Sequence, residues 1–465
     1  QPDTIIKYQH LFKWQTNLLS PIPYDEENNS DYEKEKDMIF EARSKAVDEI
    51  IEIYDVDVLI DFCGKFEEIR DLSEILADKI FCNSYDFIIL KKIKENNYSL
   101  YVSILRNLFF NNGLEVLIDL LKAEVSLSDI EKGDILCHTP PSRELWTKID
   151  EIFNKITIDY YWEHVQAFRI DNSELNEYYL LKLLEYKRPF TAAQIVAYSS
   201  FENYEILMRI LEQLLHLKTH KEADGMSISH LNNNQMLKLF DKIYNSKNID
   251  EFAVARLEVA FLPIFKYDGE MKCLTYYLHE NPKEYINVIS KCCRPDIPFE
   301  EVKSSEEQAQ TKMASEILCL FKSVPGCNDH LISADKFHSW VTEAREYAVS
   351  LGYSKAFEIY LGKLLSYSPV GSDKIFPHEI VRTFLELNSS PSMINSFITE
   401  KMNQRGVYFA SGGKTEKEMA DNYYNDAQTL RIDYPKTSAI LTQIGDSYRS
   451  ESQYEQQREL LDYSW

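Results

Sequence analysis

The sequence predicts an all-α fold: an extended array of about twenty stacked antiparallel helices, a degenerate α-solenoid of the HEAT or tetratricopeptide kind. Three observations carry that expectation. Glycine and proline are scarce, 13 and 15 in 465 residues, which leaves little material for tight hairpins or nucleotide-binding turns. Apolar residues recur at helical spacing from near residue 33 to the end. No strand–helix alternation interrupts them, and no strict tetratricopeptide or ankyrin period repeats.

The elements follow in order. YDEENNSDYEKEKD (24–37) mixes both charge signs and reads as a solvated loop entering a helix. Asn111-Asn112-Gly113 follows a periodic run as a helix stop. In RELWTKIDEIFNKITIDY, residues Leu145, Ile149, Ile152, Phe153, Ile156 and Tyr160 fall on one stripe and predict one buried helix face. In NYEILMRILEQLLHL, Tyr204, Leu207, Met208, Leu211, Leu214 and Leu215 repeat the stripe. Ile206 and Ile210 widen it enough to meet two neighbouring helices. Asn281-Pro282 and Ser390-Pro391 pair a capping residue with proline at the first helical position, and Gly352 and Gly406 follow periodic runs as C-terminal stops. The weakest joints lie at 133–142, 219–229 and 292–308. They suggest an N-terminal extension over 1–35 and helical subdomains over 36–140, 141–230, 231–304 and 305–465 of one continuous array.

Composition limits the chemistry. A net charge of −24 repels phosphate backbones and anionic membranes as main partners. The eight cysteines, of which only Cys292 and Cys293 adjoin, suit neither a disulfide framework nor a Cys-x-x-Cys metal knuckle, and point to a reducing cytoplasm. No apolar run reaches the ~18 residues of a membrane span. The first residues lack the apolar centre of a signal peptide, and a chain that begins at Gln1 suggests a fragment or a processed protein.

The motifs that hint at catalysis fail on spacing. Gly-Gly-Lys-Thr (412–415) ends like a phosphate-binding loop, but Tyr408 stands where the first glycine is required. Thr415 with Glu418 instead predicts a capping box, and Gly412 and Gly413 a turn. His216 and His220 have zinc-pair spacing, yet Leu217 replaces the glutamate of that motif. Cys137-His138 is a thiol beside a base in sequence only, and packed thiols are the expected state of this pair and of Cys292-Cys293. Acidic pairs such as Asp55 with Asp57, or Glu67 with Glu68, are expected by chance among 75 Asp and Glu. No cofactor or metal is expected.

Several stretches together resemble one family: RELWTKIDEIFNKITIDYYWEHV (143–165), LLKLLEYKRPFTAAQIV (180–196), ARLEVAFLPIF with LHENPKEYINVISKCCRPD (255–296), and RGVYFASGGKTEKEMA (405–420) with its downstream YPKTSAILTQIGDSY (434–448). They are similar to the C-terminal helical region of large, mostly uncharacterised bacterial multidomain proteins of the anti-phage defence type. The resemblance implies that Gly406, Gly412 and Gly413 are turn residues of a structural loop. It departs at Val259, where relatives place a tryptophan before Ala260. It also implies an N-terminal effector module with a helical array that regulates it or senses a target.

The functional expectation is therefore a non-catalytic recognition or regulatory module. Its partner is a protein, such as a phage component or the effector module itself. A self-associating scaffold and an enzyme assembled from scattered residues stand as alternatives. With 30 Tyr and 24 Phe, more rings exist than one buried stripe per helix absorbs, and exposed aromatics anchor interfaces. Tyr161, Trp162 and Arg405 are the interaction candidates, with packing as the commoner role for each.

Overall fold

Helices α1 (Asn29–Tyr54), α2 (Arg70–Phe81), α3 (Ile88–Asn96), α4 (Tyr98–Ala123), α5 (Asp129–Cys137), α6 (Arg143–Ile152), α7 (Lys155–His164), α8 (Ser173–Glu185), α9 (Pro189–Tyr198), α10 (Tyr204–His216) and α11 (Asn233–Tyr244) build the first of two units, which ends at Asn245. The computed structural model describes residues 8, 11, 29–54, 58, 70–82, 88–166, 173–217, 221–222, 225–297, 304–328, 330–406 and 412–462. Within the first unit α2 and α3 pack on α4, α5 on α7, and α8 to α11 on one another. Contacts are thus made with the next helix or the next but one. Together with the second unit this is an all-α array of packed helices, and no helix among the described residues is long and apolar enough to cross a membrane.

The second unit, from Ser246, contains α12 (Glu251–Ala260), α13 (Phe265–Asp268), α14 (Lys272–Glu280), α15 (Pro282–Cys292) and α16 (Ser305–Leu320). A short hairpin, β1 (Cys327–Asn328) with β2 (Leu331–Ile332), precedes α17 (Ala334–Leu351), α18 (Ser354–Leu365), α19 (Glu379–Asn388), α20 (Pro391–Asn403), α21 (Lys414–Leu430) and α22 (Pro435–Asp462). Helix α15 packs against α16, α17 and α18; α18 packs on α20, and α19, α20 and α21 on α22. The hairpin holds the strands found among the described residues, with Cys327 opposite Ile332 and Asn328 opposite Leu331.

Local chemistry explains most helix ends. Ser390 accepts a hydrogen bond from the Met393 N–H at 3.2 Å and Pro391 opens α20. Gly352 closes α17 in the left-handed conformation. The wide stripe of α10 is buried at Ile206, Leu207, Met208, Ile210, Leu211 and Leu214, and touches α8, α9 and α11. Burying each such side chain stabilises by about 2 kcal/mol. Gly113 does not end α4 but kinks it, with φ 79°.

Two further expectations are corrected. The stripe from Leu145 to Tyr160 is not one helix. The Asn154 side chain accepts from the Thr157 N–H at 3.2 Å and starts α7 afresh, so Leu145 and Ile149 are buried while Ile156 is exposed. The capping box at Thr415 and Glu418 is absent, because Gly413 is the N-cap and Thr415 lies inside α21.

A second kind of cap recurs, supplied by carboxylates far away in sequence. Glu222 accepts from the Phe190 and Thr191 N–H groups that open α9, at 2.6 and 3.2 Å. Glu258 accepts from Cys273 and Leu274 at the start of α14, at 3.1 and 2.5 Å. Asp296 accepts from Ser354 and Lys355 at the start of α18, and Glu386 from Lys436 and Thr437 at the start of α22. The first helical N–H groups have no partner within the helix, and the helix dipole favours an anion there.

Candidate functional site

A groove of about 840 Å³ opens in the second unit between the end of α14, the start of α15, the hairpin and the first three turns of α17. Its shape begins with Gly326. The residue has φ 74°, and a Cβ there would stand 3.0 Å from the Phe337 nitrogen, so only glycine lets the hairpin lie against α17. Ser333 donates its N–H to the Gly326 carbonyl at 3.0 Å and its hydroxyl caps α17. Lys336, Ser339, Trp340 and Glu343, spaced three and four apart on α17, then line one wall.

The floor is apolar and fixed. Trp340 is buried and donates its indole N–H to the Leu278 carbonyl at 3.0 Å. His279 lies edge-on to Phe321, with ring centroids 5.2 Å apart. Burial pushes its imidazole down to about 4, so it is neutral at pH 7. Its Nε2 is buried without a hydrogen-bond partner among the described residues. Leu331 at the hairpin tip is 71% exposed and Tyr276 opposite is half exposed. Among the lining residues the carboxylates Glu280, Asp335 and Glu343 outnumber the single lysine, Lys336. The ion pairs Lys336–Glu280 at 3.4 Å and Lys283–Glu343 at 3.5 Å are solvent-exposed, hence weak and open to exchange with a partner's charges. The arrangement suits binding: apolar contact area below, displaceable charge at the rim.

Sequence reasoning did not find this groove. Its signals, Pro325-Gly326 before a serine cap, are local turn chemistry that forms a wall only once α14 is folded beside it. The residues singled out from sequence lie elsewhere. Tyr161 is buried and its hydroxyl accepts from the Trp146 indole at 3.1 Å. Trp162 is buried among Trp146, Tyr179 and Tyr186. Both rings serve packing of the first unit and offer no surface to a partner. Arg405 is largely buried, paired with Glu416 and, at 3.1 Å, Glu451, and lies over the Tyr448 ring. It belongs to the second unit.

The catalytic hints resolve likewise. Cys137 donates its thiol to the Tyr161 carbonyl at 3.6 Å, whereas His138 meets the Tyr98 hydroxyl at 3.3 Å, so thiol and imidazole face different partners. Asp134 accepts from Lys94 at 2.8 Å and from Tyr101 at 2.6 Å. Around it, burial holds Tyr101 and Tyr98 above the usual phenol range and His138 below the usual imidazole range. Each shift favours the neutral form, which describes a buried polar lock and not an activated base. His216 is exposed, and His220 lies outside the described residues, as do Asp55, Asp57, Glu67 and Glu68. Among the described residues no three His, Cys, Asp or Glu side chains converge to hold a metal.

The Gly-Gly-Lys-Thr segment answers most directly. Gly406, Gly412 and Gly413 all have positive φ, as turn residues do. The Gly413 N–H donates to Glu455 at 3.1 Å, and a Cβ on Gly412 would collide with the Glu459 carboxylate. The position a phosphate would take is already filled by negative charge. No protein-family model, curated protein or solved structure matches this chain.

Proposed function

We propose that this chain is a non-catalytic protein-recognition module, and that the groove before α17 takes a segment of a partner protein bearing an apolar side chain flanked by lysine or arginine. One observation carries the reading: an open groove of about 840 Å³ whose fixed Trp340 floor is rimmed by an excess of carboxylates, beside an exposed leucine. Exposed apolar side chains next to a concave floor are the usual anchors of recognition. The net charge of −24 steers cationic partners toward the chain. The resemblance to helical regions of bacterial defence proteins adds a setting, in which a degenerate solenoid is the target-sensing C-terminal part of a protein with an N-terminal effector.

The test is selection of binding peptides from a displayed library against the full chain, followed by affinity measurement on variants. Selected peptides are expected to carry the apolar-with-cation pattern. Leu331→Asp should weaken them about ten-fold, the loss of one well-packed anchor, and Glu343→Lys should lower the association rate more than it shortens the complex lifetime. Peptides of other composition, or ones that bind Leu331→Asp unchanged, would overturn the groove as the recognition surface.

A further inference from the structure

A second cavity in the same unit, of about 170 Å³, is enclosed by α15, the ends of α16 and α18, and α20, and it shares no lining residue with the groove. Its charge is unbalanced. The lining holds two lysines, Lys322 and Lys363, against one carboxylate, Glu400. That carboxylate already accepts from the Tyr367 hydroxyl at 2.6 Å. Neither lysine has an ion-pair partner among the described residues, and Lys363 lies over the Tyr360 ring, 4.8 Å from its centroid. In a chain with 75 Asp and Glu against 51 Lys and Arg, two lysines at one cavity without a carboxylate reverse the prevailing sign.

A second observation is independent of charge. Tyr285, also in the lining, is fully buried, and its hydroxyl has no hydrogen-bond partner among the described residues. Its ring is held against Phe321 and Trp340, with centroids 5.3 Å away in each case. Buried hydroxyls are nearly always paired, so an acceptor carried into the cavity by a ligand gains a bond there. Two ammonium groups and a hydroxyl thus stand ready to donate. A cationic ligand would bring donors to donors, whereas an anion brings the matching acceptors.

The remaining wall and the size narrow the ligand. Leu318 and Phe321 give the lining an apolar part, which a hydrocarbon body covers and an inorganic oxyanion does not. At ~30 Å³ for each water-sized group, about 170 Å³ holds roughly six non-hydrogen atoms. A short aliphatic carboxylate meets all three requirements: charge, acceptors and an apolar body of this length.

We propose that this cavity binds a small aliphatic monocarboxylate, its carboxylate taken by Lys363, Lys322 and the Tyr285 hydroxyl and its hydrocarbon body by Leu318 and Phe321. The inference is independent of the recognition groove. Isothermal titration of the full chain at constant ionic strength with butyrate, butyramide, n-butylammonium and inorganic phosphate tests it. One butyrate is expected per chain, with butyramide bound about ten-fold more weakly for want of charge, n-butylammonium not bound, and phosphate weaker than butyrate. Lys363→Gln should weaken butyrate about ten-fold, the value of one charge-assisted hydrogen bond, and Tyr285→Phe about five-fold, the value of a neutral one. Tyr285→Phe removes an unpaired buried hydroxyl and keeps the ring, so the variant stays folded and its lost affinity reports on binding. Absence of butyrate binding, or butyramide or n-butylammonium binding as tightly, would overturn the anion site. Phosphate binding more tightly than butyrate would overturn the apolar half of the assignment. Butyrate affinity unchanged in both Lys363→Gln and Tyr285→Phe would overturn the cavity as its location.

Discussion

The buried Tyr285 hydroxyl has no hydrogen-bond partner among the described residues, and burying such a group costs about 1–3 kcal/mol relative to leaving it in water. Tyr285→Phe keeps the ring against Phe321 and Trp340 and is expected to raise unfolding free energy by about 1 kcal/mol in urea titration. A drop would mean that the hydroxyl has a partner. His279 supplies a second residue-scale prediction. Burial lowers its folded pKa to about 4, below the ordinary imidazole value of 6.5, so between the two the unfolded chain binds the extra proton. Stability from this group is then intact above pH 6.5, declines as pH falls from 6.5 to 4, and levels off below, a loss of up to about 3 kcal/mol. His279→Leu should flatten that part of the stability–pH curve, and parallel curves for the two proteins would refute the assignment.

At the scale of elements, the caps divide into those legible in the sequence and those that are not. Ser390-Pro391 and Gly352 could be placed from sequence because a cap of that kind is settled within a few residues. Asn154 was obscured by an apolar stripe that runs through it, since a period of 3.6 records which face is buried and not whether the backbone restarts. Glu222, Glu258 and Glu386 had no local signal, because each caps a helix 15 to 51 residues away. The groove was hidden for the same reason. Its walls come from α14, α15 and α17, and only Gly326 hints at it. The caps also predict. Glu258 is fully buried, so Glu258→Ala leaves two N–H groups at the start of α14 unpaired and should cost roughly 2–4 kcal/mol. Glu115→Ala, on a mostly exposed side chain, should stay within ~0.5 kcal/mol. Equal losses in thermal or chemical denaturation would contradict the buried-cap account.

At the scale of the molecule, the all-α class was legible because scarce glycine and proline, apolar residues at helical spacing and the lack of strand–helix alternation all point the same way. The division at residues 245 and 246 was not, because a unit boundary depends on which helices share a core. Each unit has its own long-range caps: Glu222 on α9 in the first, Glu258, Asp296 and Glu386 in the second. Residues 246–465 expressed alone are therefore expected to show cooperative loss of helical circular dichroism on heating, and to bind groove peptides as the full chain does. Gradual melting would mean that the second unit needs residues 1–245 to fold.

The remote carboxylate caps also bear on how this chain tolerates change. Glutamate is ordinarily among the most replaceable residues of an acidic protein, one of many on a wet surface. At positions 258 and 386 it is a joint between two helices, at 222 it ties a loop to a helix, and aspartate, one methylene shorter, cannot span the same gap. A saturation library scored for folded protein should therefore show these three positions as intolerant as a core leucine, scattered among dozens of permissive acidic sites. The pattern of tolerated codons would trace the helix connections without a single structural coordinate.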